Sequence, residues 1–303
     1  MPRPATLTAT RARAFTRLWP IYAALSVFAA AFVLPLVWMA AVSFKPAAEA
    51  GSSSLLPRQP TLQAYRSIIG LHSGASDDTQ VARTSVDAGR FNYPLYARNT
   101  LLILVLSLAG VLISSSIAAY GFARIEFRGR GLLFGVCLAT MMIPFPVLMV
   151  PTYMIFKQLG WIGTFLPLWA PAWFASAFNV FLLRQFYMGI PLELEESAML
   201  DGCSRWGCFW RIMLPLSTPG LAVVALFHTL AVWNDLVGPL IYLSYQDQYT
   251  LALGLQFLQS RSGDTPWNEL MAASTLIILP VVVLFLLAQR TFVEGVSATG
   301  IKG

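Results

Sequence analysis

The chain has 303 residues, 57% of them hydrophobic and only 11% charged, with a mean hydropathy of +0.65. So few charges exclude an ordinary soluble domain. Apolar blocks long enough to cross a bilayer, without strand-like alternation, exclude an outer-membrane barrel and point to an all-α polytopic membrane protein. The formal charge of +6 does not imply nucleic acid: Arg3, Arg11, Arg13 and Arg17 precede the first apolar run, and Arg124, Arg128 and Arg130 cluster between two later ones. Basic residues at those places set membrane orientation.

In chain order the apolar runs predict about six spans of the length a bilayer needs, at 19–44, 101–122, 132–156, 165–187, 221–243 and 270–288. The first run is too long for a typical signal-peptide core, so an uncleaved signal anchor is expected. The arginines before Trp19 put the N-terminus inside, and alternate counting then puts the arginine cluster, residues 188–219 and the C-terminus inside as well. Residues 45–98 fall outside. Ser52 to Ser54, Pro57 and Pro60 mark irregular structure there, 62–69 reads as a short amphipathic helix, and 71–90 as a flexible or small folded excursion. Either piece can touch an extracytoplasmic partner or stay a solvated loop. In the third span Pro144, Pro146 and Pro151 are expected to kink the helix and free backbone carbonyls.

Between the fourth and fifth spans lies a polar segment with more local order than a loop requires. Pro191 pre-sets a helical start, and Glu193, Glu195 and Glu196 crowd the first turn, where the helix dipole favours negative charge. Gly202 permits a sharp turn or a close backbone approach. A second short helix is expected over 204–213, ended by Pro215. Asn234 and Asp235 sit in the fifth span, where an ionisable side chain is costly, so they either face a cavity or cap a helix broken near Gly238 and Pro239. Cys137, Cys203 and Cys208 form no metal-ligand spacing or disulfide framework, and neither His72 nor His228 has a partner suggesting catalysis or a metal.

The polar segment resembles the EAA loop of the membrane subunits of ATP-binding-cassette importers, in which Glu-Ala-Ala is followed by Gly and then Ile-x-Leu-Pro. Glu196, Ala198, Gly202, Ile212, Leu214 and Pro215 are in register, Asp201 stands beside the glycine, and Ser197 replaces the middle alanine. Asn99-Thr100, the run from Ala119 to Arg124, Met142-Ile143-Pro144, Trp233-Asn234-Asp235, Pro239-Leu240 and the tail from Ala298 to Gly303 are similar to carbohydrate-importer permeases of the maltose type. The 71–90 stretch matches least.

The resemblance implies a type I importer permease fold, in a bacterial or archaeal cell membrane. Its parts would be a cytoplasmic tail (1–18), a first transmembrane helix (19–44), an extracytoplasmic segment (45–98), a permease core (99–291) with the coupling loop at 189–215, and a cytoplasmic tail (292–303). It implies as partners a second permease, two cytosolic ATPase subunits, an external solute-binding protein and a carbohydrate, in lipid and without nucleic acid. No Gly-x-x-x-x-Gly-Lys-Ser/Thr occurs, so this chain is not expected to be an enzyme or to bind a cofactor, and ATP and Mg belong to the partner ATPases. Glu196 is expected to contact the ATPase and cap exposed amides, Gly202 to allow close approach, and Pro215 to fix the exit angle. The pathway candidates are Trp233, Asn234, Asp235, Pro144, Trp173 and Phe178. The aromatics among them either stack on sugar rings or serve packing and lipid contact. The same architecture also suits glycerol phosphate or another polyol-like solute. A self-contained secondary transporter is the reading from another class.

Overall fold

The computed structural model describes residues 6–70, 91–260 and 266–299. The 71–90 excursion, His72 and residues 300–303 lie outside them. Among the described residues there are helices and no strands. Four helices are long and apolar enough to cross a membrane, and two bent helix pairs raise the number to six if each pair is one span.

Two compact units divide the chain, residues 1–78 with 262–276 and residues 79–261 with 277–303. In the first unit α1 (Thr6–Ser43) leaves its apolar surface outward over Leu18–Ser43, as a lipid-facing helix does. The segment after it is irregular, as its serines and prolines predict, yet organised around a buried lysine. Lys45 Nζ donates to Ser54 O at 2.6 Å and to Ser52 O at 3.3 Å. Glu49 accepts the Arg58 amide at 3.1 Å. The expected amphipathic helix is α2 (Gln63–Ile69); it buries Ala64 and Ile68, and Tyr65 OH bonds Ser43 Oγ at 2.7 Å.

The second unit is built on α3 (Tyr93–Arg124). Asn92 caps it by accepting from Leu95 N at 3.1 Å, so the helix begins well before the predicted 101, and Asn99 and Thr100 are interior rather than initial. Its buried row of Asn99, Thr100, Ser107, Ser115 and Ser116 is polar, and the first four meet irregular backbone or a facing helix, while Ser116 donates within α3 to Ile113 O. Asn99 donates to Asp247 O and Tyr249 O at 2.8 and 3.0 Å. Thr100 accepts from Leu251 N at 3.0 Å, the start of α12 (Leu251–Gln259), and Ser107 meets His228 at 2.8 Å.

The remaining spans are interrupted where the sequence interrupts them. α4 (Arg130–Thr140) and α5 (Phe145–Gln158) meet at 96° across Pro144, which has extended backbone as the helix cap; Pro146 fits the first turn, and Pro151 stays inside the helix. The fourth span consists of α6 (Leu166–Trp169), a 3-10 stretch (Ala170–Phe174) and α7 (Ala177–Met188). At the break Ala175 has φ +63°, and its amide donates to Ser114 Oγ at 3.0 Å. That hydroxyl's proton is shared between Gly110 O at 2.7 Å and Ala172 O at 3.2 Å, so α3 supplies an acceptor for the broken backbone and part of a donor. The fifth span is α10 (Thr218–Trp233) followed, after Asn234 to Leu236, by α11 (Val237–Tyr242). The last is α13 (Trp267–Thr299).

Candidate functional site

The polar segment folds as two short helices, α8 (Glu193–Leu200) and α9 (Arg205–Leu216). The three glutamates fall in the first turn of α8. Gly202 ends it with φ +86°, and the Gly202 and Cys203 amides return to Met199 O at 3.0 Å and Ala198 O at 2.9 Å, a Schellman closure. A Cβ at Gly202 would meet nothing within 4 Å. Within this chain the glycine therefore serves backbone conformation, since no other part of the chain crowds its place. Ser204 caps α9 through Gly207 N at 3.1 Å. Gly207, which sequence reading missed, is required by space: a Cβ there would lie 2.7 Å from Cys203 Sγ.

Pro215 does not end the second helix. A π turn over Phe209–Met213, closed by Leu214 N to Phe209 O, shifts the hydrogen-bond register just before the proline. The helix then runs to Leu216 and turns by 73° at Ser217 into α10. Pro215 is exposed, while Ile212 and Leu214 are half-buried.

Glu196 and its neighbour Glu195 face opposite ways. Glu196 is exposed and its side chain makes no hydrogen bond or ion pair among the described residues, so it caps no amide. Glu195 is buried. Its Oε1 lies 2.8 Å from Arg124 Nε, and its Oε2 accepts from Tyr120 OH at 2.9 Å. Tyr120 and Arg124 are one turn apart at the end of α3. Beside this ion pair, Arg124 Nη2 donates to Tyr187 O at 2.7 Å and to Ile190 O, carbonyls at the end of α7 and in the turn after it. Charge-assisted bonds of this kind are short and directional. The signal for them lay in two polar side chains at i, i+4 closing an apolar span. Phe209 and Met213 enter the same core as Tyr120, Tyr187 and Val224. The opposite face of the segment is open: Leu200 is 89% exposed and Trp206 54%, beside the exposed Glu193, Glu196, Ser197 and Asp201, with Ala198 half-buried.

A second feature is a cavity of about 480 Å³ walled by Phe145, Leu148, Thr152, Phe156, Asp235 and Tyr242, among others. Tyr242 stacks near Tyr153 and meets Phe156 edge-on at 5.3 Å. Asp235 Oδ1 accepts from Gly238 N at 3.0 Å, so the carboxylate both caps α11 and lines the cavity, and no cation pairs with it among the described residues. The other pathway candidates are used internally. Trp233 is buried and donates to Ile277 O at 3.1 Å; Asn234 returns to Leu230 O at 2.8 Å. Trp173 donates to Leu106 O at 3.1 Å with its ring over Gly110, and Phe178 packs edge-on to Phe227. Pro144 sets the bend that delivers Phe145 to the cavity wall. No cluster of three metal-ligating side chains occurs among the described residues.

Comparison with known proteins agrees with this layout. Residues 94–298 match the family described as binding-protein-dependent transport system inner membrane component. The chain is 32% identical to the diacetylchitobiose uptake system permease protein DasC of Streptomyces coelicolor, over 95% of this chain and 98% of that one. It is 31% identical to the maltose/maltodextrin transport system permease protein MalG of Vibrio parahaemolyticus, over 95% and 96%. With the arabinooligosaccharides transport system permease protein AraQ of Halalkalibacterium halodurans the identity is 37%, over 67% and 71%. A solved chain from a bacterial ABC transporter involved in import of the acidic polysaccharide alginate shares the fold, with a TM-score of 0.76, 20% identity and coverage of 96% and 99%. The match over residues 94–298 and the full-length similarity to permeases make this chain a member of the binding-protein-dependent transport system inner membrane component family.

Proposed function

We propose that this chain is one permease of an ATP-driven importer that takes a carbohydrate from an extracytoplasmic binding protein and moves it across a prokaryotic cell membrane. The observation that carries the reading is the 193–216 segment: two short helices moored on one side by a buried ion pair and open on the other. An apolar, acid-rimmed face of that kind suits a cleft on a partner. The partner is a cytosolic ATPase subunit, one of two, and ATP with Mg is held there. The companion permease completes the pathway. Relatives named for arabinooligosaccharides, diacetylchitobiose and maltodextrin support a carbohydrate substrate.

The mechanism is a population shift. Inward-open and outward-open states differ in how the ATPase pair holds the coupling segment, and ATP acts only through that difference. Glu196 and the exposed apolar side chains make the docking contact. On the membrane side, the cavity beside Asp235 offers aromatic walls for the apolar faces of a sugar and a carboxylate oxygen for its hydroxyls.

The test is a pull-down of the tagged chain in mild detergent, followed by reconstitution with the co-purifying subunits. Co-elution of a second permease and an ATPase, with ATPase activity stimulated by binding protein and a disaccharide, is the expected result. Solute movement by the chain alone in liposomes without ATP overturns the proposal in favour of a secondary transporter.

A further inference from the structure

The proposed stroke has a route into the membrane that runs through neither flanking span. The segment's covalent exits are turns: Gly189 to Leu192 on one side and the 73° bend at Ser217 on the other. Its third attachment is the Glu195 carboxylate on Arg124 and Tyr120, with the acid 4% and the arginine 9% exposed. Because Arg124 also holds Tyr187 O and Ile190 O, a displacement of α8 is shared with the end of α3. A helix is stiff along its axis, so the displacement travels. Ten residues earlier, about 15 Å at the helical rise, α3 presents Ser114 and Ser115 to the break in the fourth span. There Ser114 Oγ takes the Ala175 amide at 3.0 Å and Ser115 Oγ faces the Ser176 amide at 3.4 Å. The break holds Ala175, a non-glycine residue with positive φ, a conformation that persists only while its surroundings hold it. Phe174, just before it, is 83% exposed. Trp173 is tied to the same helix through Leu106 O.

We propose that α3 is the relay of the importer: Glu195 drives it through Arg124 and Tyr120, and Ser114 delivers the movement to the Trp173–Ser176 break. Tyr120, Arg124 and Ser114 are then positioning residues for transport, and Phe174 is the side chain whose placement changes between states. The inference rests on the ATPase-coupled reading given above. It adds two residues outside the docking face, Tyr120 and Ser114, whose loss uncouples hydrolysis from transport.

The experiment is a double-mutant cycle in the reconstituted complex, with transported sugar per ATP hydrolysed as the readout. That ratio does not depend on how much complex survives purification. Tyr120→Phe and Ser114→Ala each remove one hydroxyl and leave the fold's bulk intact. Each is expected to lower the ratio about fivefold or more, and the double variant to fall no further than the worse single, since both interrupt one path. A wild-type ratio in either hydroxyl variant, or reductions that multiply in the double, overturns the relay. If the wild-type chain recruits no ATPase, the proposed function has failed and the cycle is not reached.

Discussion

The 193–216 segment and the Asp235 cavity both place a carboxylate where water is scarce, and they treat it oppositely. At Glu195 the acid is surrounded by its own protein: a guanidinium at 2.8 Å and a phenol at 2.9 Å account for both oxygens. At Asp235 one oxygen is engaged by the Gly238 amide, no cation approaches among the described residues, and the group opens on a cavity. The first arrangement fixes geometry, because breaking it strands a buried charge. The second leaves bonding capacity over, as a binding surface requires.

The largest expected effect separates the two neighbouring acids. Glu195→Ala leaves Arg124 buried without its partner and is expected to destabilise the chain by about 3–5 kcal/mol. Glu196→Ala is expected to leave the melting temperature in detergent unchanged while lowering ATP-dependent transport. A thermal melt of both variants checks this, and equal melting of the two erases the distinction. Next is Gly202→Val, which forces a β-branched residue to φ +86° at a cost of about 1–2 kcal/mol. Gly202→Asn is expected to melt closer to wild type. If valine matches asparagine, backbone conformation is not what the glycine provides.

Smaller effects probe the cavity. Asp235→Ala removes the α11 cap and is expected to cost about 1 kcal/mol. Asp235→Asn keeps the accepting oxygen, so it should melt like wild type and still weaken sugar-stimulated transport; transport at the wild-type rate removes Asp235 from the pathway. The smallest is Trp173→Phe, which loses the bond to Leu106 O, about 1 kcal/mol or less, and part of the indole's contact with Gly110 at a half-exposed position. A binding role for Trp173 predicts a changed apparent sugar affinity, and a packing role predicts none.

These comparisons show what the sequence carries and what it does not. The spans, the short helix at 63–69, the acid-rich start of α8 and the proline break at 144 are local consequences of apolar run length, dipole and missing amides, and they are legible residue by residue. The break near Gly238 in the fifth span is one of the two readings offered there and is capped locally by Asp235, but the break in the fourth span is not legible, because the groups that satisfy it are remote. Ser114 and Ser115 serve Ala175 and Ser176 from another helix, and Trp233 finds Ile277 O. For the same reason Glu195 was hidden behind Glu196. Which of two adjacent glutamates turns inward is decided by Arg124, more than seventy positions earlier. Pro215 misled because a π turn absorbed it, a register change that composition does not announce.

The caged ammonium of Lys45 has a practical consequence. Held by Ser52 and Ser54 carbonyls and buried, it is not a nucleophile for amine-reactive reagents while the segment is folded. Lys157, which is exposed, is expected to be acylated freely under the same conditions. The ratio of modification at the two lysines is therefore a built-in gauge of whether the segment after α1 is folded, readable by mass spectrometry on the intact membrane.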